Sequence, residues 1–501
     1  MNRGQFLTWL AGSAVGAMTG GALAAAMAGA EPNAPVTVLA RATVIDGTGG
    51  PPHPDTTVVL AGDRIVAVGR FPDLPMPVAR TVDLHGKFVI PGLWDIHTHV
   101  ATAERTFPPM YLAYGVTGIR EMWGFPETHS LRRRIEGGEL IGPRMVVASS
   151  IIDGPPVLWP GSEGVATDAE ARAAVRRAHG SGADFVKVYS QLSRETFAAI
   201  ADESRRVGLR FAGHVPYRIP VHEAIEAGQY TLEHMYGMLT AASARAVELQ
   251  AEIEAMPAEP GHPDGWVAQR ARLEREAAET YDPARAASLS DLMIGRGCWQ
   301  SPTLVVQRRV VTGMGYPPPE DPDAEDMLRR YLPESIRQFW WSYRTGPSTP
   351  EQIAEREFAF RVRLELLGAM AAAGAGIVAG TDAGNPYAFP GYSLHEELEL
   401  LVRAGLTPMR ALQAATRDAA RCAGLEHLSG TVAPGKFADL VVLDADPLAG
   451  IGNTRRIHAV VSRGRYLSGA DRERILREVE TAAQEPSPPF APGGSLGPCC
   501  G

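Results

Sequence analysis

Between Gly92 and Gly380 eight short apolar runs alternate with amphipathic helical stretches, and this alternation restricts the fold more than any other feature of the chain. The runs are Gly92–His97, Gly115–Glu121, Arg144–Ser150, Phe185–Tyr189, Arg210–His214, Thr231–His234, Gln300–Val306 and Gly376–Gly380. Helices are predicted between them, for example at Ala169–Ser181, opened by a Thr167–Glu170 capping box, and at Arg194–Val207, with Ser193 as N-cap. Strands joined through helices pair in parallel. Eight such units fit a closed barrel better than an open doubly wound sheet, and no glycine-rich phosphate loop follows the first run. The predicted fold class is therefore α/β, a (β/α)8 TIM barrel.

The flanks follow a different pattern. From Val36 to Ile90 the sequence reads as hairpins: Val36–Ala40, Ala42–Ile45, Thr57–Ala61, Arg64–Gly69, Thr81–Leu84 and Phe88–Ile90, with turn signals between them. A matching set returns at Gly430–Val432, Asp439–Leu443, His458–Ser462 and Arg465–Leu467. Two sets so far apart in sequence predict a small β-sandwich domain built by the N- and C-terminal segments, with the barrel inserted between them. The expected division is a signal peptide at 1–30, the two sandwich parts at 31–91 and 428–470, the barrel at 92–427, and a helical or disordered tail at 471–501. Long helical insertions near 241–290 and 317–363 have the lengths that form lids or substrate walls.

Residues 1–30 carry Arg3, a Gly/Ala-rich apolar stretch and Ala28-Gly29-Ala30 before Glu31, the pattern of an export signal with a cleavage site. The signal resembles the twin-arginine type but has Gly4 where the second arginine should stand. The expected location is periplasmic or secreted, with no membrane contact once the signal is removed; a retained anchor is the alternative. The 501 residues carry a net charge of −9 spread along the chain, which gives no footprint for nucleic acid. The expected partner is a small-molecule substrate, and a homo-oligomer is compatible with the sequence. Four cysteines are too few and scattered for a disulfide framework, and Cys499-Cys500 stand without a companion ligand.

Chemistry concentrates at the ends of the predicted strands. His97 and His99 lie two apart where the first strand stops, so both imidazoles share a face. Lys187, His214, His234 and Asp382 end or follow the fourth, fifth, sixth and eighth strands. Taken singly, each has an ordinary explanation: a core histidine, a helix cap, a snorkelling cation. Taken together they converge on the C-terminal mouth of a barrel, where barrel enzymes keep their active sites and where such a cluster calls for a metal.

These residues sit in motifs that resemble the amidohydrolase superfamily: Val89-Ile90-Pro91-Gly92-Leu93-Trp94-Asp95-Ile96-His97-Thr98-His99, Gly115-Val116-Thr117, Gly380-Thr381-Asp382, and Gly430-Thr431-Val432 through Pro434-Gly435-Lys436-Phe437-Ala438-Asp439-Leu440-Val441-Val442-Leu443. The likeness is strongest to its imidazolonepropionase-like and Xaa-Pro dipeptidase-like branch. It implies two divalent ions, zinc by preference, and CO2 held as a carbamate on Lys187 that bridges them. One ion would take His97, His99 and Asp382, the other His214 and His234. Asp382 would also act as the catalytic base. The implied reaction is hydrolysis of amide-type C–N bonds, as in dipeptides or N-acyl amino acids.

Tyr189, Tyr217, Arg218 and Arg120 are candidates for substrate binding, and His395 for support of the site. In Arg120-Glu121 the chain departs from the family's usual Arg-Asp. The competing readings are a mononuclear cyclic-amide hydrolase or deaminase, a lactonase or phosphotriesterase on the same site, and a binding protein without catalysis.

Overall fold

The computed structural model describes residues 35–70, 80–99, 103–256, 263–344 and 348–486, except for the side chains of 263–268. The expected signal peptide and Cys499-Cys500 lie outside the described residues. Five strands come first: β1 (Val36–Val44), β2 (His53–Ala61), β3 (Arg64–Gly69), β4 (Arg80–Asp83) and β5 (Phe88–Pro91). The runs predicted at Val36–Ala40 and Ala42–Ile45 form one strand, its register with β2 shifting between Leu39 and Ala42 where Arg41 takes a positive φ of 62°. β1, β2 and β3 form the expected antiparallel hairpins, whereas β4 and β5 pair with β1 in parallel. Alternation of side chains is the same in both pairings, so the sequence pattern does not distinguish them.

The barrel strands are β6 (Leu93–Thr98), β7 (Val116–Glu121), β8 (Arg144–Asp153), β10 (Phe185–Val188), β11 (Phe211–Gly213), β12 (Thr231–Glu233), β13 (Trp299–Ser301) and β14 (Gly376–Ile377), with the two-residue β9 (Glu163–Gly164) attached to β8. Each pairs in parallel with its neighbour from β6 round to β14. Closure comes after β14: Ile96 donates its N–H to Ala379 O (2.9 Å), Asp382 to His97 O (2.7 Å) and His99 to Ala383 O (2.9 Å). Gly380 permits this approach, since a Cβ there would meet Ser301 Oγ at 2.6 Å and His97 Cβ at 2.8 Å. Buried Asp95 ties the two ends together by accepting from His97 N, Thr381 N and Thr381 Oγ1, while burial pushes its carboxyl up to about 7.

The seventh predicted run, Gln300–Val306, is strand only to Ser301. Leu304–Thr312 is a helix. The β-branched Val305 and Val306 favour extended structure locally, but all three apolar residues are buried in the helix, and the Val305 N–H is held by the carboxylate of Glu397 (2.9 Å). The helices Asp168–Gly180 and Arg194–Val207 start at Thr167 and Ser193, whose side chains accept from Glu170 N and Thr196 N.

At the N-terminal end of the barrel Trp94, Ile96, Phe185, Ala212 and Val378 pack with Ala419 and Cys422 of the helix Arg417–Ala423 in one buried cluster. Apolar packing thus fills one end, and the polar side chains are left at the other. The chain returns through β15 (Leu440–Leu443), β16 (Ile457–Ser462) and β17 (Arg465–Leu467), which extend the N-terminal sheet in the order β17-β16-β15-β5-β1-β2-β3. A second core, with Leu39, Val58 and Leu60 from the first strands against Val442, Ala459 and Val461 from the last, closes this domain. The final helix, Gly469–Ala483, occupies the first part of the tail expected to be helical or disordered. Among the described residues no helix is long and apolar enough to cross a membrane.

Candidate metal centre

The six residues singled out at strand ends come together at the C-terminal mouth of the barrel, each at most 2% exposed. Four imidazoles stand in a row. The His99 and His97 rings are 5.5 Å apart, His97 and His234 4.6 Å, and His234 and His214 4.7 Å. Asp382 reaches in from the closing segment, its Oδ1 3.0 Å from His99 Nε2 and 3.4 Å from His97 Nε2. His97, His234 and Asp382 each present a ligand atom, all within 4.8 Å of one another. Lys187 rises beside them from β10, its stem running over Gly213, where a Cβ would meet Lys187 Cδ at 3.1 Å and Val188 O at 2.1 Å.

Second nitrogens orient the rings. His97 Nδ1 lies 2.7 Å from Glu233 Oε2, His214 Nδ1 2.7 Å from Ser190 Oγ, and His234 Nδ1 2.7 Å from Thr303 Oγ1. His99 Nδ1 is 3.8 Å from Glu121 Oε1. Holding Nδ1 in this way turns Nε2 of His97 and His214 toward the centre, and for His97 the accept-only Glu233 carboxylate leaves the Nε2 lone pair available. Burial, together with the Lys187 charge, favours the neutral ring: it brings His97 down to about 4, lowers His99, and takes His214 and His234 well below the usual histidine range. Burial alone would raise the Asp382 carboxyl, but the surrounding imidazoles hold it well below the usual carboxylate range. The cluster therefore offers neutral nitrogens and an ionised carboxylate at neutral pH.

This donor set fits divalent metal, and three buried atoms give independent support. His97 Nε2, His214 Nε2 and Lys187 Nζ make no hydrogen bond with the described residues. Polar groups buried to this degree are ordinarily satisfied, and an uncompensated ammonium costs several kcal/mol. Backbone strain collects here as well. His234, Met235, Thr303 and Asp382 all have positive φ, between 46° and 62°.

Glu233, which the sequence reading passed over, is central to the support of the site. Its Oε1 takes Arg120 Nη2 at 2.7 Å while Oε2 takes His97. Arg120, expected near the substrate, is fully buried inside the barrel and also donates to Ile96 O (2.7 Å), Tyr230 Oη and Thr231 Oγ1. Burial would raise the Glu233 carboxyl, but Arg120 and His97 hold it well below the usual carboxylate range. Glu233→Gln should leave the guanidinium without a counter-charge and destabilise the fold by about 3–5 kcal/mol. Denaturant unfolding checks this as a lowered midpoint at unchanged slope. A loss under about 1 kcal/mol would mean that the pair does not behave as a buried ion pair.

Tyr189 stacks on His214, with ring centroids 4.0 Å apart, and its hydroxyl accepts from Trp159 Nε1 at 2.7 Å. Tyr217 and Arg218 lie at the rim, half-buried, where Arg218 donates to Met256 O (2.9 Å) in the first insertion. His395 is not brought to the cluster. Its ring nitrogens meet Thr454 Oγ1 (3.0 Å) and Tyr114 O (2.9 Å).

Comparison with known proteins bears on the whole assembly. Residues 88–467 match the amidohydrolase family. The solved structure of a bottromycin amidohydrolase superposes with a TM-score of 0.71 at 25% identity, over 95% of this chain and 96% of that one. A Xaa-Pro dipeptidase solved with methionine bound in its active site gives 0.61 at 20% identity, over 87% of this chain and 100% of that one. A curated adenine deaminase of Deinococcus radiodurans is 38% identical over 65 residues; the match spans 12% of this chain and 12% of that protein's length.

Proposed function

Since this chain belongs to the amidohydrolase family and is a hydrolase of carbon–nitrogen bonds, we propose that it is an exported enzyme that cleaves amides such as dipeptides or N-acyl amino acids at a binuclear metal centre. The observation that carries the binuclear reading is Lys187 Nζ, buried among four imidazoles without a hydrogen bond. A protonated amine cannot bind a cation, whereas its CO2 adduct is an anion with two oxygens. Lys187 as carbamate, with His97, His99 and Asp382 on one side and His214 and His234 on the other, would hold two divalent ions, zinc by ligand type. Bound metal supplies Lewis acidity toward the amide carbonyl and lowers the pKa of water.

The chain's own residues do the rest. Asp382, ionised and adjacent to the imidazoles, accepts the proton of the attacking water and delivers it to the leaving nitrogen. Glu233, an ionised carboxylate that can only accept, keeps the His97 proton on Nδ1, while the Ser190 and Thr303 hydroxyls hold the His214 and His234 rings in orientation. Tyr189 covers the His214 face.

A mononuclear centre is the rival reading, favoured by the compactness of His97, His234 and Asp382. Elemental analysis of protein prepared with zinc and bicarbonate should give about two ions per chain. A ceiling of one at saturating metal selects the rival. In a screen of dipeptides, N-acyl amino acids, lactones and phosphotriesters, cleavage of the first two classes, lost on chelation, supports the amide reading. Turnover confined to the last two classes overturns it.

A further inference from the structure

The helix Leu304–Thr312, which follows β13, begins in an unusual way. Its N-cap, Thr303, has φ 46° and ψ 50°, a left-handed backbone that strains a β-branched residue. A threonine in this position ordinarily turns its hydroxyl back to accept an N–H of the first helical turn. Thr303 makes no such bond. Its Oγ1 lies instead 2.7 Å from His234 Nδ1. The cap comes from another element. Glu397, on the helix Tyr392–Arg403, accepts from Val305 N through Oε2 (2.9 Å), and the Leu304 N–H acts on the same carboxylate. Glu397 is fully buried, and burial pushes its carboxyl up to about 8. Its other oxygen, Oε1, makes no hydrogen bond with the described residues.

We propose that Glu397 is a positioning residue for the metal centre: by capping this helix in place of Thr303, it leaves the Thr303 hydroxyl to His234 and so fixes that imidazole. The proposal rests on the metal-centre reading of the site. Without an acceptor from Glu397, the Val305 N–H is a buried donor in need of a partner, and the usual one is the N-cap hydroxyl. A hydroxyl drawn back to the helix is withdrawn from His234 Nδ1, and relaxation of the strained Thr303 backbone has the same effect. The ring is then free to turn, and a metal-binding imidazole that loses the partner of its second nitrogen holds metal less tightly. What Glu397 supplies is an oxygen at the right reach rather than a charge.

Three substitutions separate this role from a purely structural one. Glu397→Gln keeps an oxygen at the same reach, and its amide nitrogen replaces an oxygen that has no hydrogen bond to lose. Glu397→Asp keeps the acid but falls one methylene short of Val305. Thr303→Val keeps the branched shape and removes the hydroxyl. Zinc affinity, read by competition with a chromogenic chelator, should fall roughly 10- to 100-fold for Glu397→Asp and for Thr303→Val, and stay within about two-fold of the parent for Glu397→Gln. The double variant Glu397→Asp/Thr303→Val should bind no more weakly than Thr303→Val alone, because both changes act on one contact. In metal-free protein carrying isotope-labelled histidine, the His234 ring-nitrogen shifts, assigned by their loss in His234→Gln, should move for Glu397→Asp and Thr303→Val and hold for Glu397→Gln. Losses that multiply in the double variant overturn the proposal, as do parent affinity and parent shifts in Glu397→Asp, or a Glu397→Gln protein weakened as far as Glu397→Asp. A parent that binds no zinc while its variants show the expected shifts would count against the metal centre and support the positioning of His234 by Glu397.

Discussion

A Lys187→Ala variant is expected to fold, to lose turnover by roughly a thousand-fold or more, and to retain no more than about one metal ion per chain. The stability of the two forms separates the readings of this residue. In metal-free protein the substitution removes a buried amine that makes no hydrogen bond. The cost of burying that amine, several kcal/mol, is thereby relieved, against about 2–5 kcal/mol for the emptied space. The two nearly cancel. With zinc at about a thousand times its dissociation constant the parent gains about 4 kcal/mol from binding, and the variant lacks most of that gain.

Melting curves with and without zinc therefore should diverge for the parent and nearly coincide for the variant. Propionate added to the variant should restore part of both metal content and rate by standing in for the carbamate. Lys187→Arg should fail as completely and resist rescue, since guanidinium stays protonated and fills the space. If Lys187→Ala keeps its metals and turns over at the parent rate, the carbamate has no part in the reaction.

The order of the barrel strands, the caps at Thr167 and Ser193, and the strand ends that carry His97, His99, Lys187, His214, His234 and Asp382 were all legible in the sequence. Each depends on a local period or on the rule that barrel sites gather where strands end. What was not legible depends on partners across the barrel. Glu233 looks like one acid in a short strand, yet it faces both His97 and Arg120. Its one signal was an acid within an apolar strand, directly before a candidate ligand. Arg120 was expected at the mouth because it lies near the end of its strand, whereas its long stem turns inward to Tyr230 and Glu233. Leu304-Val305-Val306 reads as strand from its β-branched residues, but the helix it forms is held from a distance by Glu397.

Asp382→Asn isolates the proton transfer, because the substitution disturbs little else. Asp382 has φ 58°, a left-handed conformation that costs most residues energy and that asparagine tolerates about as well as aspartate. Its N–H closes the barrel on His97 O (2.7 Å), and its carbonyl accepts from Asn385 Nδ2 (3.0 Å). Both contacts use only backbone atoms of residue 382 and survive the change. Alanine at the same place would add backbone strain to the lost carboxylate and confuse the result. The asparagine side chain keeps one oxygen toward the His97 and His99 nitrogens but carries no charge and cannot take a proton. The turnover number should fall by about a hundred- to ten-thousand-fold, the usual weight of a general base, while KM changes little and the histidine-held metal stays. Steady-state kinetics and metal content measured on the same preparation decide the matter. An Asn variant that keeps its metal and turns over within a few-fold of the parent would limit Asp382 to holding metal. The base would then have to be sought among the other groups facing the row of imidazoles, with Glu121, 3.8 Å from His99, the first to replace.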